Sequence, residues 1–323
     1  MPAHHAVAPA LPGPVAPGPS VGTAHAKAIL IGEHAVVHGT GAIVMPLAEL
    51  PIRAELTEHA GGATIASGPF TGPVREAPAE LGPTLTALRV ACERFGLDQD
   101  RLALSIRSSI PFGRGLGSSA AVAAAVVGAV EAAAGIEADA AIRHELVQIA
   151  ERVAHGRPSG IDAHGVLADQ PLWFRRGEAT VLPVGHLPLV LADTGRPSAT
   201  RTAVTAVRQR REANPTAVGA TLDQLGLLAE ESREALLAGE LAPIGTRMDT
   251  AHDLLATLGV STPRLDELVA RARRAGALGA KLTGSGGGGC VIALAPDAEA
   301  AAEIAAQLDA AGAHQTWTIG GQA

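Results

Sequence analysis

The chain has no tyrosine, and aromatic side chains make up only 2% of its 323 residues. That scarcity excludes the stacking platforms used to bind single-stranded nucleic acid. Basic residues are not in excess either, with 25 Lys and Arg against 32 Asp and Glu and a formal net charge of -7. A polyanion would find no basic footprint, so a phosphate ligand must be held locally by loop dipoles, a metal and single basic side chains. Two cysteines, Cys92 and Cys290, are too few for a disulfide framework or a cysteine metal cluster, and their apolar neighbours suit buried thiols. No apolar run is long enough to span a bilayer: the longest follows Ser119 and is broken by Glu131. The first twenty residues are rich in Pro and Ala but lack a basic start and an unbroken apolar core. They read as a flexible tail on a cytoplasmic protein, with no membrane partner.

What is present is a hydrophobic content of 47% and a length that suggests two domains, expected at 21–190 and 191–323 after the 1–20 tail. Apolar periodicity predicts strands at 26–31, 52–56 and 102–110 and helices at 83–95 and 138–154. Two short strands within 169–188 and a further one over LPLVLADT follow. Helices are then expected at 200–213, 221–237, 243–258, 264–275 and 297–311, with a closing strand HQTWTI.

Residues 111–121, PFGRGLGSSAA, carry the most information. Gly113, Gly115 and Gly117 let the backbone turn its N–H groups inward, and Ser118 or Ser119 is placed to cap the apolar helix that follows. A helix N-terminus carries roughly half a positive charge, so the loop reads as an anion site. It is not a Walker A loop, because no lysine follows Gly117, and it is not a Rossmann fingerprint, because no acidic residue lies about twenty positions on. Arg114 is expected to be solvated.

Three other stretches bear chemistry. In KAILIGEHAVVHG, residues 27–39, a strand ends on Gly32, Glu33 and His34, where polar groups face a ligand or a capped turn. His34 and His38 do not make HExxH, because Ala35 stands where the Glu belongs. In ERVAHGRPSGID, residues 151–162, glycines and a proline turn the chain so that Glu151 and Asp162 can approach one point. Beside a phosphate loop, one carboxylate would hold Mg²⁺ and the other meet the nucleophile; a surface Glu and an Asx-turn Asp are the plainer alternative. The glycine run 284–289, framed by Lys281, Thr283 and Cys290, loses much backbone entropy on folding, which implies a close backbone approach.

Taken together, these motifs resemble the GHMP kinases (galactokinase, homoserine kinase, mevalonate kinase, phosphomevalonate kinase). The loop from Pro111 and the segment KLTGSGGGGC match that superfamily, while GEHAVVHG and ERVAHGRPSGID are similar to its mevalonate kinase branch. The resemblance covers nearly the whole chain from about residue 22. It implies an α+β, two-domain fold with an S5-like N-terminal and a ferredoxin-like C-terminal domain. It also implies ATP-dependent phosphorylation of mevalonate, with ATP and Mg²⁺ as cofactors. Asp162 and Lys27 match the catalytic pair, and Ser119 and Glu151 match the Mg²⁺ ligands. Pro111, Gly113, Gly115, Leu116, Gly117, Ser118, Ser119 and Ala120 match the ATP loop; Glu33, His34, Gly160, Thr200 and Gly286 match mevalonate contacts. The implied partners are these small molecules; a homodimer is compatible with the reading and nothing in the residues requires one. The sequence departs from the family's pattern at His25 and Ala26, which replace a proline-glycine pair, and at Phe112 and Arg114. Another enzyme of the superfamily, or a non-catalytic sensor on its scaffold, is the competing reading.

Overall fold

The computed structural model describes residues 18–156, 158–198 and 200–320, so residues 1–17 of the expected tail lie outside it. Two long strands come first, β1 (Ser20–Ile31) and β2 (Gly41–Glu58). Short strands β3 (Thr64–Ser67) and β4 (Phe70–Pro73), not foreseen from sequence, lead to α1 (Gly82–Phe95) and β5 (Leu102–Ser108). Then come α2 (Ser118–Ala134), α3 (Ala140–His155) and the short α4 (Ile161–Val166). Strands β6 (Leu172–Arg175), β7 (Glu178–Val181) and β8 (Leu189–Asp193) precede the helices α5 (Thr200–Ala213) and α6 (Pro215–Leu237). The chain closes with α7 (Leu241–Thr257), α8 (Pro263–Arg274), β9 (Gly279–Thr283), β10 (Cys290–Leu294), α9 (Ala298–Ala310) and β11 (Gln315–Ile319).

Local chemistry explains the helix ends. The Asp139 carboxylate accepts from Ala141 N and starts α3, Thr262 caps α8 ahead of Pro263, and Asp297 caps α9. Gly96, at φ 72°, stops α1 by donating its N–H to Cys92 O. No described helix is long and apolar enough to cross a membrane.

The chain divides into two compact units. The first holds Pro51–Ser109, Ser119–Pro158 and the described residues up to Ala24. Within it, β2 pairs antiparallel with β5, Ile52 opposite Ser108 and Glu58 opposite Leu102, while β3 runs parallel to β5 and antiparallel to β4. The Ala-rich α2 is apolar on nearly every side and correspondingly buried, and α1 packs on α3.

The second unit holds His25–Leu50, Ile110–Ser118 and the chain from Ser159 onward. Gly41–Val44 of β2 pair with β6, which pairs in turn with β7. An antiparallel sheet of order β11-β8-β10-β9 forms the centre of this unit, packed against α7, α8 and α9. Its inner strands are continuous apolar runs, as strands covered on both faces must be. Cys290 lies opposite Asp193 on one side and Thr283 on the other, so the ends of β8, β9 and β10 meet at one place. Both cysteines are buried free thiols, as their setting suggested.

Candidate active site

The second unit gathers polar residues that lie within its apolar strands and just beyond them. Lys27 lies on β1 and is only 3% exposed. Its Nζ is 2.8 Å from Asp162 Oδ1 and donates to Gly115 O at 3.1 Å. Its backbone N–H also donates to Leu116 O at 3.0 Å, fixing the loop to the strand. Asp162 is the second residue of α4, whose cap, the buried Gly160, has φ 91°. The Lys27 stem is sandwiched: a Cβ on Gly117 would come 3.1 Å from its Cγ and Cε, and one on Gly165 3.0 Å from its Cβ and Cγ.

The loop 110–118 has the form expected of an anion cradle. Gly113, Gly115 and Gly117 adopt φ of 68°, 78° and 73°, alternating with residues of ordinary φ. Such alternation turns successive N–H groups to one side. Pro111 is partly buried, Leu116 is buried, and Ser118 is the first helical residue of α2. Arg114 differs from expectation. It is not solvated: its Nε donates to both oxygens of the buried Asp193, at 2.8 and 2.9 Å.

A second cluster surrounds Glu33 and His34. The chain has two lysines, Lys27 and Lys281, and both are buried in this unit. Lys281 Nζ donates to Glu33 Oε1 and to Leu282 O, while Glu33 Oε2 is buried without a hydrogen-bond partner among the described residues. Burial pushes Glu33 up and Lys281 down from their ordinary values, and the attraction between them opposes both shifts. His34 has φ 60°, a left-handed conformation that a side chain larger than glycine rarely takes. Its Nε2 lies 3.0 Å from Ser285 O, and burial holds its pKa down to about 4. The ring is therefore neutral near pH 7, with its proton on Nε2 because a carbonyl only accepts. Ser285 Oγ donates to Thr200 Oγ1 at 3.1 Å, and Ser198 Oγ donates to Gly286 O at 2.9 Å.

The structure thus brings Lys27, Asp162, Gly160 and the loop from Pro111 to one place, and Glu33, His34, Thr200 and Gly286 to another within the same unit. Ser119, Ala120 and Glu151 belong to the first unit. There Ser119 is the second residue of α2 and Ala120 is buried. Glu151 is 2% exposed, with Oε2 3.6 Å from His155 Nε2. Among the described residues, no three His, Cys, Asp or Glu side chains cluster as metal ligands. Sequence reasoning did not assign roles to Lys281, Ser285, Ser198 or Asp193; the Lys281–Glu33 pair spans 248 positions, which no spacing pattern reveals.

Comparison with known proteins gives the family. The GHMP kinases N-terminal domain family matches residues 84–168, and the GHMP kinases C-terminal family matches residues 232–314. Mevalonate kinase of Pyrococcus horikoshii is 37% identical over 317 residues, covering 90% of this chain and 92% of that relative. The chain belongs to the mevalonate kinases of the GHMP family. Thermococcus sibiricus mevalonate kinase is 36% identical over 311 residues, with the same 90% and 92% coverage. Among solved structures, L. major mevalonate kinase in complex with R-mevalonate superposes with a TM-score of 0.79 at 26% identity, covering 94% of this chain and 96% of that one. The fold is accordingly the α+β, two-domain fold of GHMP kinases, and kinases of this family use ATP.

Proposed function

We infer that this chain transfers the γ-phosphoryl group of ATP to the primary hydroxyl of mevalonate, giving 5-phosphomevalonate and ADP. The observation that carries the reading is the contact set of Lys27: one ammonium touches Asp162 and the carbonyl of Gly115 in the phosphate loop. A carboxylate, an ammonium and an anion cradle meet where an alcohol would attack a phosphate. An alcohol proton has a pKa of about 16, and a carboxylate of about 4 does not remove it in the ground state. The proton therefore passes to Asp162 Oδ as the new O–P bond forms and the bond to the ADP oxygen breaks. Lys27 stabilises the developing alkoxide charge, an interaction of about 4 kcal/mol at 4 Å and an effective dielectric of about 20. The loop N–H groups hold the phosphates in place, so most of the rate comes from placement and charge neutralisation.

Glu33, His34, Thr200, Gly160 and Gly286 are assigned to the mevalonate side. Neutral His34 offers Nδ1 as an acceptor, Glu33 offers Oε2, and both suit the hydroxyls of a small polyol acid. Ser119 and Glu151 are assigned to Mg²⁺. Their hydroxyl and carboxylate oxygens are the hard donors this ion takes, and Glu151 is a buried carboxylate whose desolvation a cation offsets. When bound, Mg²⁺ would supply positive charge for phosphoryl transfer.

The test is ADP release by purified protein with Mg-ATP and, separately, mevalonate, phosphomevalonate, galactose and homoserine. Turnover on mevalonate is expected. Turnover on another member of the panel but not on mevalonate would overturn the substrate assignment, and no turnover on any would favour the non-catalytic reading.

A further inference from the structure

A loop with three left-handed glycines does not hold its own shape, because glycine has the most backbone freedom to lose. Something outside the loop must fix it. Its backbone is held by Lys27 through the carbonyls of Gly115 and Leu116, and by Ser198 N donating to Gly113 O at 2.7 Å. Its own side chains contribute Arg114, whose Nε lies between the two oxygens of Asp193 while Nη1 donates to Phe112 O at 3.3 Å. Asp193 is a firm anchor. It is the last residue of β8, fully buried, with Cys290 of β10 and Gln315 of β11 in register on either side.

The same carboxylate orders two more segments. Asp193 Oδ1 accepts from Gly195 N at 2.8 Å, shaping the turn that leads to Ser198 and Thr200. Thr194 and Arg196 in that turn bond to Gly289: Thr194 N and Oγ1 donate to Gly289 O, and Gly289 N donates to Arg196 O. A Cβ on Gly289 would come 2.7 Å from Arg114 O, so the glycine run lies directly against the backbone of Arg114. A bare carboxylate buried under an anion loop would repel the phosphates the loop is built to hold. Arg114 cancels that charge and uses it as a fixed point.

We propose that Arg114 is a positioning residue for the nucleotide: its ion pair with Asp193 sets the shape of the phosphate loop, and it does not itself bind phosphate. The proposal rests on the reading of residues 110–118 as the ATP phosphate site.

The experiment is calorimetric MgADP binding, with KM for ATP and for mevalonate, on full-length wild type, Arg114→Gln, Asp193→Asn and the Arg114→Gln/Asp193→Asn double variant. Each single change leaves one buried charge without its partner, and both are expected to weaken MgADP and raise the KM for ATP by about tenfold or more. In Arg114→Gln, which leaves the Asp193–Gly195 hydrogen bond in place, the KM for mevalonate should stay within about twofold. In the double variant two neutral amides restore the hydrogen bond with no charge unpaired, so MgADP affinity should return to within about threefold of wild type. Wild-type affinity in Arg114→Gln would overturn the proposal. So would a double variant as weak as Arg114→Gln beside an unaffected Asp193→Asn, the pattern of an arginine that touches phosphate directly. If a single variant does not fold, the double decides: near-wild-type affinity supports the tether, and a tenfold loss refutes it. Wild type that binds no MgADP would refute the nucleotide reading itself, a result separable from failure of the tether alone.

Discussion

Replacing Lys281 by methionine should turn the Glu33 cluster into a pH-dependent weak point. The change keeps an unbranched apolar stem one atom shorter and removes the ammonium that Glu33 Oε1 accepts from, leaving a carboxylate buried with neither oxygen paired to that cation. Breaking a buried pair in this way costs about 3–5 kcal/mol, a large share of the roughly 5–15 kcal/mol that holds a folded protein together. Glu33 can escape part of the penalty by taking up a proton. At pH 7, protonating a carboxyl whose unfolded pKa is about 4.3 costs about 3.7 kcal/mol, whereas at pH 5 it costs about 1 kcal/mol. In the variant, Glu33 has a folded pKa raised further above its unfolded value, so stability is retained at low pH and lost as pH rises. Urea unfolding should therefore show a loss of about 3–4 kcal/mol at pH 7 that shrinks by about 2–3 kcal/mol at pH 5. Lys281→Met/Glu33→Leu should recover most of the stability but not turnover, if Glu33 contacts mevalonate as proposed. A loss equal at both pH values, or none at pH 7, would refute the claim that this pair is a desolvated ion pair.

Two further outcomes follow from the same unit. Burial holds the folded pKa of His34 at about 4, below the ordinary value of about 6.5, so the unfolded chain takes up its proton first. Stability is then full above about pH 6.5 and falls towards pH 4, and His34→Gln should lose about 2–3 kcal/mol less than wild type between pH 7 and 4.5; equal losses in urea titrations would contradict this. Gly165→Ala gains about 1 kcal/mol of helix propensity, but its Cβ would sit 2.8 Å from Val44 Cγ1 and 3.0 Å from the Lys27 stem. A net loss of stability with kcat down about tenfold is expected from displacing Lys27; a higher melting temperature at unchanged kcat would show that the stem tolerates the methyl.

Much of this was legible in the sequence where it was local. The loop glycines, the GEH turn and the strand ends could be read because the residues that define them are neighbours. The helix 200–213 was bounded correctly because its ends are marked by polar and small residues on both sides. Strand β2 was read only as 52–56: Pro46 and Pro51 argue against a strand, yet they fall between the rungs shared with β6 and those shared with β5. The four-residue β3 and β4 carry too little pattern to stand out among glycine, proline and serine. Long-range pairs left no trace in the local pattern; Lys27 and Asp162 were paired only through the family resemblance. Arg114 was expected in solvent because its partner Asp193 lies 79 positions away, at the end of a strand that reads as purely apolar until its last residue.

The most direct measurement is the kcat of Asp162→Asn with mevalonate and Mg-ATP, taken beside its MgADP affinity. The carboxylate 2.8 Å from Lys27 is assigned to receive the hydroxyl proton, so the amide should bind MgADP like wild type and turn over at least about a hundredfold more slowly. Near-normal turnover in a folded, nucleotide-binding Asp162→Asn protein would contradict the account.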